Sequence, residues 1–116
     1  MPAIDDLMPL KPAWFHILLA LGEQPLHGFG VRDVVLARTA GRVTLWPATL
    51  YGSIADMCAA ALIEPLAEDA EPGDDARRRY YRITPRGRRL LRAEGERLAA
   101  LASAARALSA PEQGAR

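Results

Sequence analysis

A chain of 116 residues, half of them hydrophobic and a quarter charged, suffices for one domain around one core and is too apolar to stay disordered. Its net charge of +1 excludes binding a polyanion by bulk charge, so any such surface must come from local clustering of basic residues. The single cysteine, Cys58, excludes an intramolecular disulfide and fits a reducing cytoplasm. The longest apolar run, 13–21, is interrupted by His16 and too short to cross a bilayer, and no signal-peptide pattern opens the chain.

Residues 1–10 carry two acids and two prolines and read as an arm, extended or briefly helical. A first helix is expected over 12–21, with Pro12 in its first turn. It is apolar nearly all round, through Trp14, Phe15, Ile17, Leu18, Leu19 and Leu21, which hints at a subunit interface. Gly22 ends it. A second helix starts near His27 and Gly28 and runs to about Thr39, with Arg32, Asp33 and Arg38 facing water. The break at 40–42 precedes a third helix opened by Pro47, whose apolar stripe is Leu50, Ile54, Met57, Cys58, Ala61 and Leu62. The opposite face offers Ala48, Thr49, Tyr51, Gly52 and Ser53, compact and in part hydroxyl-bearing, then Asp56. Helix, short break, helix is the helix-turn-helix pattern.

A short strand is expected at 63–66, kept to a sheet edge by Pro65. A polar loop with a type II turn signature at 71–74 leads to a second strand at 79–84. Alternation there puts Tyr81 and Ile83 toward the core and Tyr80 and Arg82 away from it. The hairpin reads as a wing. Thr84 caps the last helix, Pro85 opens it, and it runs to about Leu108. Leu91, Leu98 and Ala105 alternate with Leu101 and Leu108 as heptad positions, weakened by Gly87 and Glu94, which suggests packing against a partner helix. The expected fold is mainly α with a small β-hairpin: a winged helix-turn-helix over 1–84, a dimerisation helix over 85–108 and a disordered tail over 109–116.

Chemistry enters through the arginines and the third helix. Recognition helices read bases with their N-terminal residues, which makes Thr49, Tyr51 and Ser53 candidate contacts to double-stranded DNA. His27 and Gly28 at the head of the second helix join them, with Arg38, Arg42, Arg78 and Arg79 as phosphate contacts. A homodimer would pair through Trp14, Ile17, Leu91, Leu98, Leu101, Ala105 and Leu108. Trp14, Phe15 and Trp46 are the aromatic surfaces open to a small flat effector, with core packing the competing use. Neither His16 nor His27 has a Cys, Asp or Glu at metal-ligand spacing, and no nucleophile–base arrangement or phosphate loop is in view. No enzyme activity, metal or cofactor is expected.

The segments H-G-F-G at 27–30, W-P-A-T-L-Y-G-S-I at 46–54, A-A-L-I-E at 60–64 and R-R-R-Y-Y-R-I-T-P-R-G at 77–87 resemble the PadR-like transcriptional regulators over roughly 9–108. The resemblance implies a repressor that dimerises through its last and first helices and binds a near-palindromic operator, in the smaller of the family's two subtypes. Two departures stand out. Gly52 replaces the proline that often follows T-L-Y, and no basic residue occurs between Val43 and Ala76. Either phosphate neutralisation comes from Arg32, Arg38 or Arg42 and the wing strand, or DNA binding is weak and the chain is a small-molecule-sensing or protein-binding module on the same fold.

Overall fold

In the computed structural model, which describes residues 1–66 and 79–109, the first helix α1 occupies Pro12–Leu21 and lies at the centre of the packing. Ile17 and Leu18 are wholly inaccessible to solvent, and Ala20 and Leu21 nearly so. Around them sit Val31 and Val35 of α2 (Gly28–Arg38) and Leu50, Ile54 and Met57 of α3 (Pro47–Ala59). Leu62, Ile63, Tyr81, Ile83 and Leu90 complete the core. Burying each such side chain stabilises the fold by about 1.5–3 kcal/mol relative to leaving it exposed. This places Ile17 inside its own subunit and withdraws it from the expected dimer interface: an α1 residue that fills the core has nothing left to offer a partner.

The arm forms one 3-10 turn at Ile4–Leu7, and Leu10 closes the core behind it. Thr39 terminates α2. Its hydroxyl donates to the carbonyl of Val35 at 2.8 Å and accepts from the N–H of Val43 at 3.0 Å, tying the helix end to the following loop. Ala40 and Gly41 turn the chain with φ of 54° and 78°, the left-handed region in which a glycine is unstrained. Pro47 then opens α3, where its missing N–H is not needed.

Three strands form one antiparallel sheet in the order β1–β3–β2: β1 at Leu26–His27, β2 at Ile63–Pro65 and β3 at Tyr80–Ile83. Ile63 faces Ile83, Glu64 faces Arg82 and Pro65 faces Tyr81 across the hairpin. Tyr81 and Ile83 are buried and Tyr80 and Arg82 exposed, as alternation predicts. The strand absent from the sequence reading is β1. It pairs Leu26 with Tyr81 and His27 with Tyr80 and anchors the wing to the turn before α2. The loop at 67–78, including the expected type II turn, lies outside the described residues, as does the tail after Ser109.

The last helix, α4 (Pro85–Ser109), is capped as expected: Thr84 Oγ1 accepts from the N–H of Gly87 at 3.0 Å, and its hydroxyl donates to the Ala61 carbonyl at 2.7 Å. Gly87 lies so close to β2 that a Cβ there would stand 2.1 Å from the carbonyl oxygen of Leu62. Gly87, Leu90 and Glu94 are buried against the rest of the chain, while every residue from Leu98 to Ser109 is exposed. The packing therefore divides within α4 and not after residue 84. The helix belongs to the winged core through its first three turns and leaves it beyond Arg97.

Among the described residues Glu94 is the buried charge, 1% exposed. Arg97 holds it in a fork, Nε to Oε1 at 2.7 Å and Nη2 to Oε2 at 2.8 Å, and the N–H of Leu10 donates to Oε2 at 3.0 Å. The hydrogen bonds from Arg97 keep its carboxyl below the ordinary carboxylate range, against the opposing effect of burial. Glu94 thus fastens the arm to α4.

Candidate nucleic-acid interface

α2 and α3 approach each other closely at Gly28. Gly28, the first residue of α2, is buried, and a Cβ there would lie 2.6 Å from the hydroxyl of Tyr51 and 2.7 Å from its ring. Gly28 is therefore a seat for Tyr51 and not a DNA contact. Tyr51 is correspondingly half-buried, standing between the two helices instead of fully on the outward face of α3. Cys58, also half-buried, has a thiol pushed up by burial and lowered to a lesser extent by the charge of Arg79, which keeps it an inert packing group.

His27 caps α2. Its Nδ1 accepts from the N–H of Gly30 at 3.0 Å, and its ring meets Tyr80 edge-on at 5.2 Å between centroids. Its side chain thus links the helix start to the wing, and it is half-buried. Thr49 is exposed and Ser53 half-exposed on α3. Between and beyond them the outward face is Ala48, Gly52, Ala55, Asp56 and Ala59, all exposed. Trp46 at the N-cap is 69% exposed and makes no side-chain capping bond, although its indole is the largest group near that face.

The arginines divide by partner. Arg38 is held by Glu23, and Arg82 donates from Nε to Glu64 Oε2 at 2.8 Å across the wing. Arg32 stacks over Phe29 with its guanidinium carbon 5.8 Å from the ring centroid. Arg42, in the turn before α3, is exposed and forms no ion pair among the described residues. Arg79 does not project from the wing stem as expected. It is half-buried, its Nε is enclosed without a hydrogen-bond partner among the described residues, and its charge partly offsets the burial that raises the Cys58 thiol and the Tyr81 hydroxyl on the inner side of the sheet. A residue two positions before inward-facing Tyr81 shares its side, which is why alternation, applied one step further, would have found this. Arg78 lies outside the described residues.

Of the expected effector aromatics, Phe15 lines a cavity of 350 Å³ with Leu10, Pro12, His16, Glu94, Arg97 and Leu98. Neither tryptophan contributes to that wall: Trp14 is half-buried under the Lys11 ammonium at 5.8 Å, and Trp46 stands in solvent. Among the dimer candidates, Leu91 packs on its own core, whereas Leu98, Leu101 and Leu108 are 36%, 55% and 82% exposed, with Ala105 exposed beside them. Among the described residues, no three His, Cys, Asp or Glu side chains gather as metal ligands, and no helix is long and apolar enough to cross a membrane.

Two helices joined by a short turn, a third packed behind them and a sheet folded back beside the second helix of the pair define a winged helix-turn-helix protein. Residues 17–93 match the model of the transcriptional regulator PadR-like family, and the chain belongs to that family. It is 34% identical over 94 residues to an uncharacterized 37.1 kDa protein in transposon TN4556 of Streptomyces fradiae, covering 81% of this chain but only 25% of that protein. A transcriptional regulator from Clostridium thermocellum superposes with a TM-score of 0.67 at 23% identity, covering 81% of this chain and 86% of that one. The complex structure of hsRosR-S4 superposes with a TM-score of 0.65 at 19% identity, covering 98% of each chain. RosR of H. salinarum superposes at 0.64 and 19% identity, over 96% of this chain and all of that one. At these identities the structural likeness speaks for the fold alone.

Proposed function

We propose that the chain is a cytoplasmic DNA-binding repressor that works as a homodimer on a near-palindromic operator. Each α3 enters a major groove and offers Thr49 and Ser53 to base edges, with Tyr51 setting the angle of α3 against α2. Arg42 meets the phosphate backbone and supplies affinity more than sequence choice, whereas Arg38 is engaged by Glu23. The dimer pairs through the outer half of α4, where Leu98, Leu101, Ala105 and Leu108 lie exposed. The observation that carries this reading is the clamping of α3: Leu50, Ile54 and Met57 are fixed in the core while Ala48, Thr49, Gly52 and Asp56 stay exposed for a second molecule.

The test is binding of the purified protein to the DNA upstream of its own gene, followed by fluorescence anisotropy at several salt concentrations. Arg42→Ala is expected to weaken binding on all sequences and to shallow the salt slope by roughly one. An unchanged slope removes Arg42 from the interface, and absence of binding by the unaltered chain removes the function.

A second reading is favoured by the 350 Å³ cavity between the arm, α1 and α4, whose wall combines Phe15 and Leu98 with the guanidinium of Arg97. A small aromatic effector bound there would lie where the arm is fastened to α4 and could shift one half of the dimer against the other.

A further inference from the structure

Gly28 and Gly87 are required by close contacts within the chain, with a side chain at 2.6 Å in one case and a backbone carbonyl at 2.1 Å in the other. Gly52 has no such reason. It is in the middle of α3, its φ is not positive, and a Cβ built on it would meet nothing within 4 Å. Glycine is the poorest helix former after proline, so its presence there weakens the helix with no return inside the fold. What a missing side chain does provide on an exposed helix face is closer approach of a second molecule.

One turn beyond Gly52, on the same face, stands Asp56. It is the sole charged residue of α3, it is exposed, and it forms no ion pair among the described residues. Thr49, Gly52, Ser53 and Asp56 follow the i, i+3, i+4, i+7 spacing that lines one face of a helix. An ionised carboxylate only accepts hydrogen bonds. It is repelled by phosphates, by guanine N7 and O6 and by thymine O4, and in the major groove its natural partner is the N4 amino group of cytosine. Aspartate is short, so this contact needs the helix axis near the groove floor, which a Cβ at position 52 would oppose.

We infer that Asp56, brought within reach by the absent side chain of Gly52, selects a cytosine in each operator half-site. The inference rests on the DNA-binding reading above. It also gives a purpose to the lack of basic residues on α3: that helix chooses bases, while affinity comes from arginines elsewhere.

The experiment is selection of bound duplexes from a randomised pool by the full chain and by Asp56→Asn, Asp56→Ala and Gly52→Ala, each checked for folding by circular dichroism. The wild-type chain is expected to enrich a cytosine at one fixed position of each half-site, with other bases there weakening binding about five- to a hundredfold. Asp56→Asn shifts that position to adenine, which asparagine pairs with through N6 and N7, and Asp56→Ala flattens it while leaving the other positions unchanged. Gly52→Ala raises the melting temperature by about 4 °C yet weakens binding to the selected site at least ~10-fold, a split that a purely structural role would not produce. Retention of the same cytosine by Asp56→Ala, or undiminished binding by Gly52→Ala, overturns the inference and leaves the DNA-binding reading standing. Failure of the wild-type chain to enrich any duplex overturns both.

Discussion

Replacing Gly87 by alanine tests how α4 is fixed to the winged core. A methyl group at that position would sit 2.1 Å from the Leu62 carbonyl oxygen, 2.9 Å from Ile83 Cγ1 and 3.1 Å from the Leu62 carbonyl carbon. The nearest of these is backbone, and it already accepts from the N–H of Thr84 at 3.0 Å, so it cannot turn aside as a flexible side chain would. Relief requires α4 to move outward by about 1 Å, which loosens Leu90 and the Glu94 fork together. Overpacking of this kind costs about 1–3 kcal/mol, and here the upper end applies, offset by up to about 1 kcal/mol of improved helix propensity. The net loss of about 2 kcal/mol corresponds to a melting temperature lower by roughly 10 °C, measured by circular dichroism at 222 nm. Gly52→Ala, the same chemical change in open space, is expected to move the midpoint upward. If Gly87→Ala melts at or above the wild-type temperature, α4 does not press on β2 as described.

Leu101→Asp places a charge on the exposed half of α4 without touching the core, so the monomer should keep its melting behaviour while sedimentation shows dissociation at low micromolar concentration; a dimer that persists would locate the interface elsewhere. Glu94 has a lowered carboxyl proton affinity in the fold, so the stability it contributes is fully present above the unfolded pKa and is lost as pH falls through the lower folded value. Urea midpoints should accordingly fall in that acidic range for the wild type and less steeply for Glu94→Gln. Glu94→Ala should cost about 1–3 kcal/mol at neutral pH by leaving the N–H of Leu10 without its acceptor; a neutral substitution would show that the arm is not held there.

Much of this fold is legible in local sequence because its boundaries carry local chemistry. Pro12, Pro47 and the Thr84–Pro85 pair mark three helix starts, and strict alternation sorts Tyr81 and Ile83 from Tyr80 and Arg82. What escapes is long-range. β1 is two residues long, too short for any period, and exists because Tyr80 and Tyr81 of β3, far along the chain, pair with it. Glu94 looks like a defect in a heptad seam, since the N–H that justifies it belongs to Leu10 at the other end of the chain. Gly28 and Tyr51 both look like surface contacts until α2 and α3 are brought together. For the proposed interface, the sequence points to the outward face of α3 and to Arg42, but it cannot tell an arginine held by a carboxylate, as Arg38 is by Glu23, from one without an ion pair among the described residues.

The central claim is that two copies of α3 address two successive major grooves. Hydroxyl-radical footprinting on the selected duplex measures this directly. The account predicts two protected blocks on one face of the DNA, related by two-fold symmetry and centred about 10 base pairs, ~34 Å, apart. A single protected block, or two blocks whose spacing places them on opposite faces of the duplex, would contradict it.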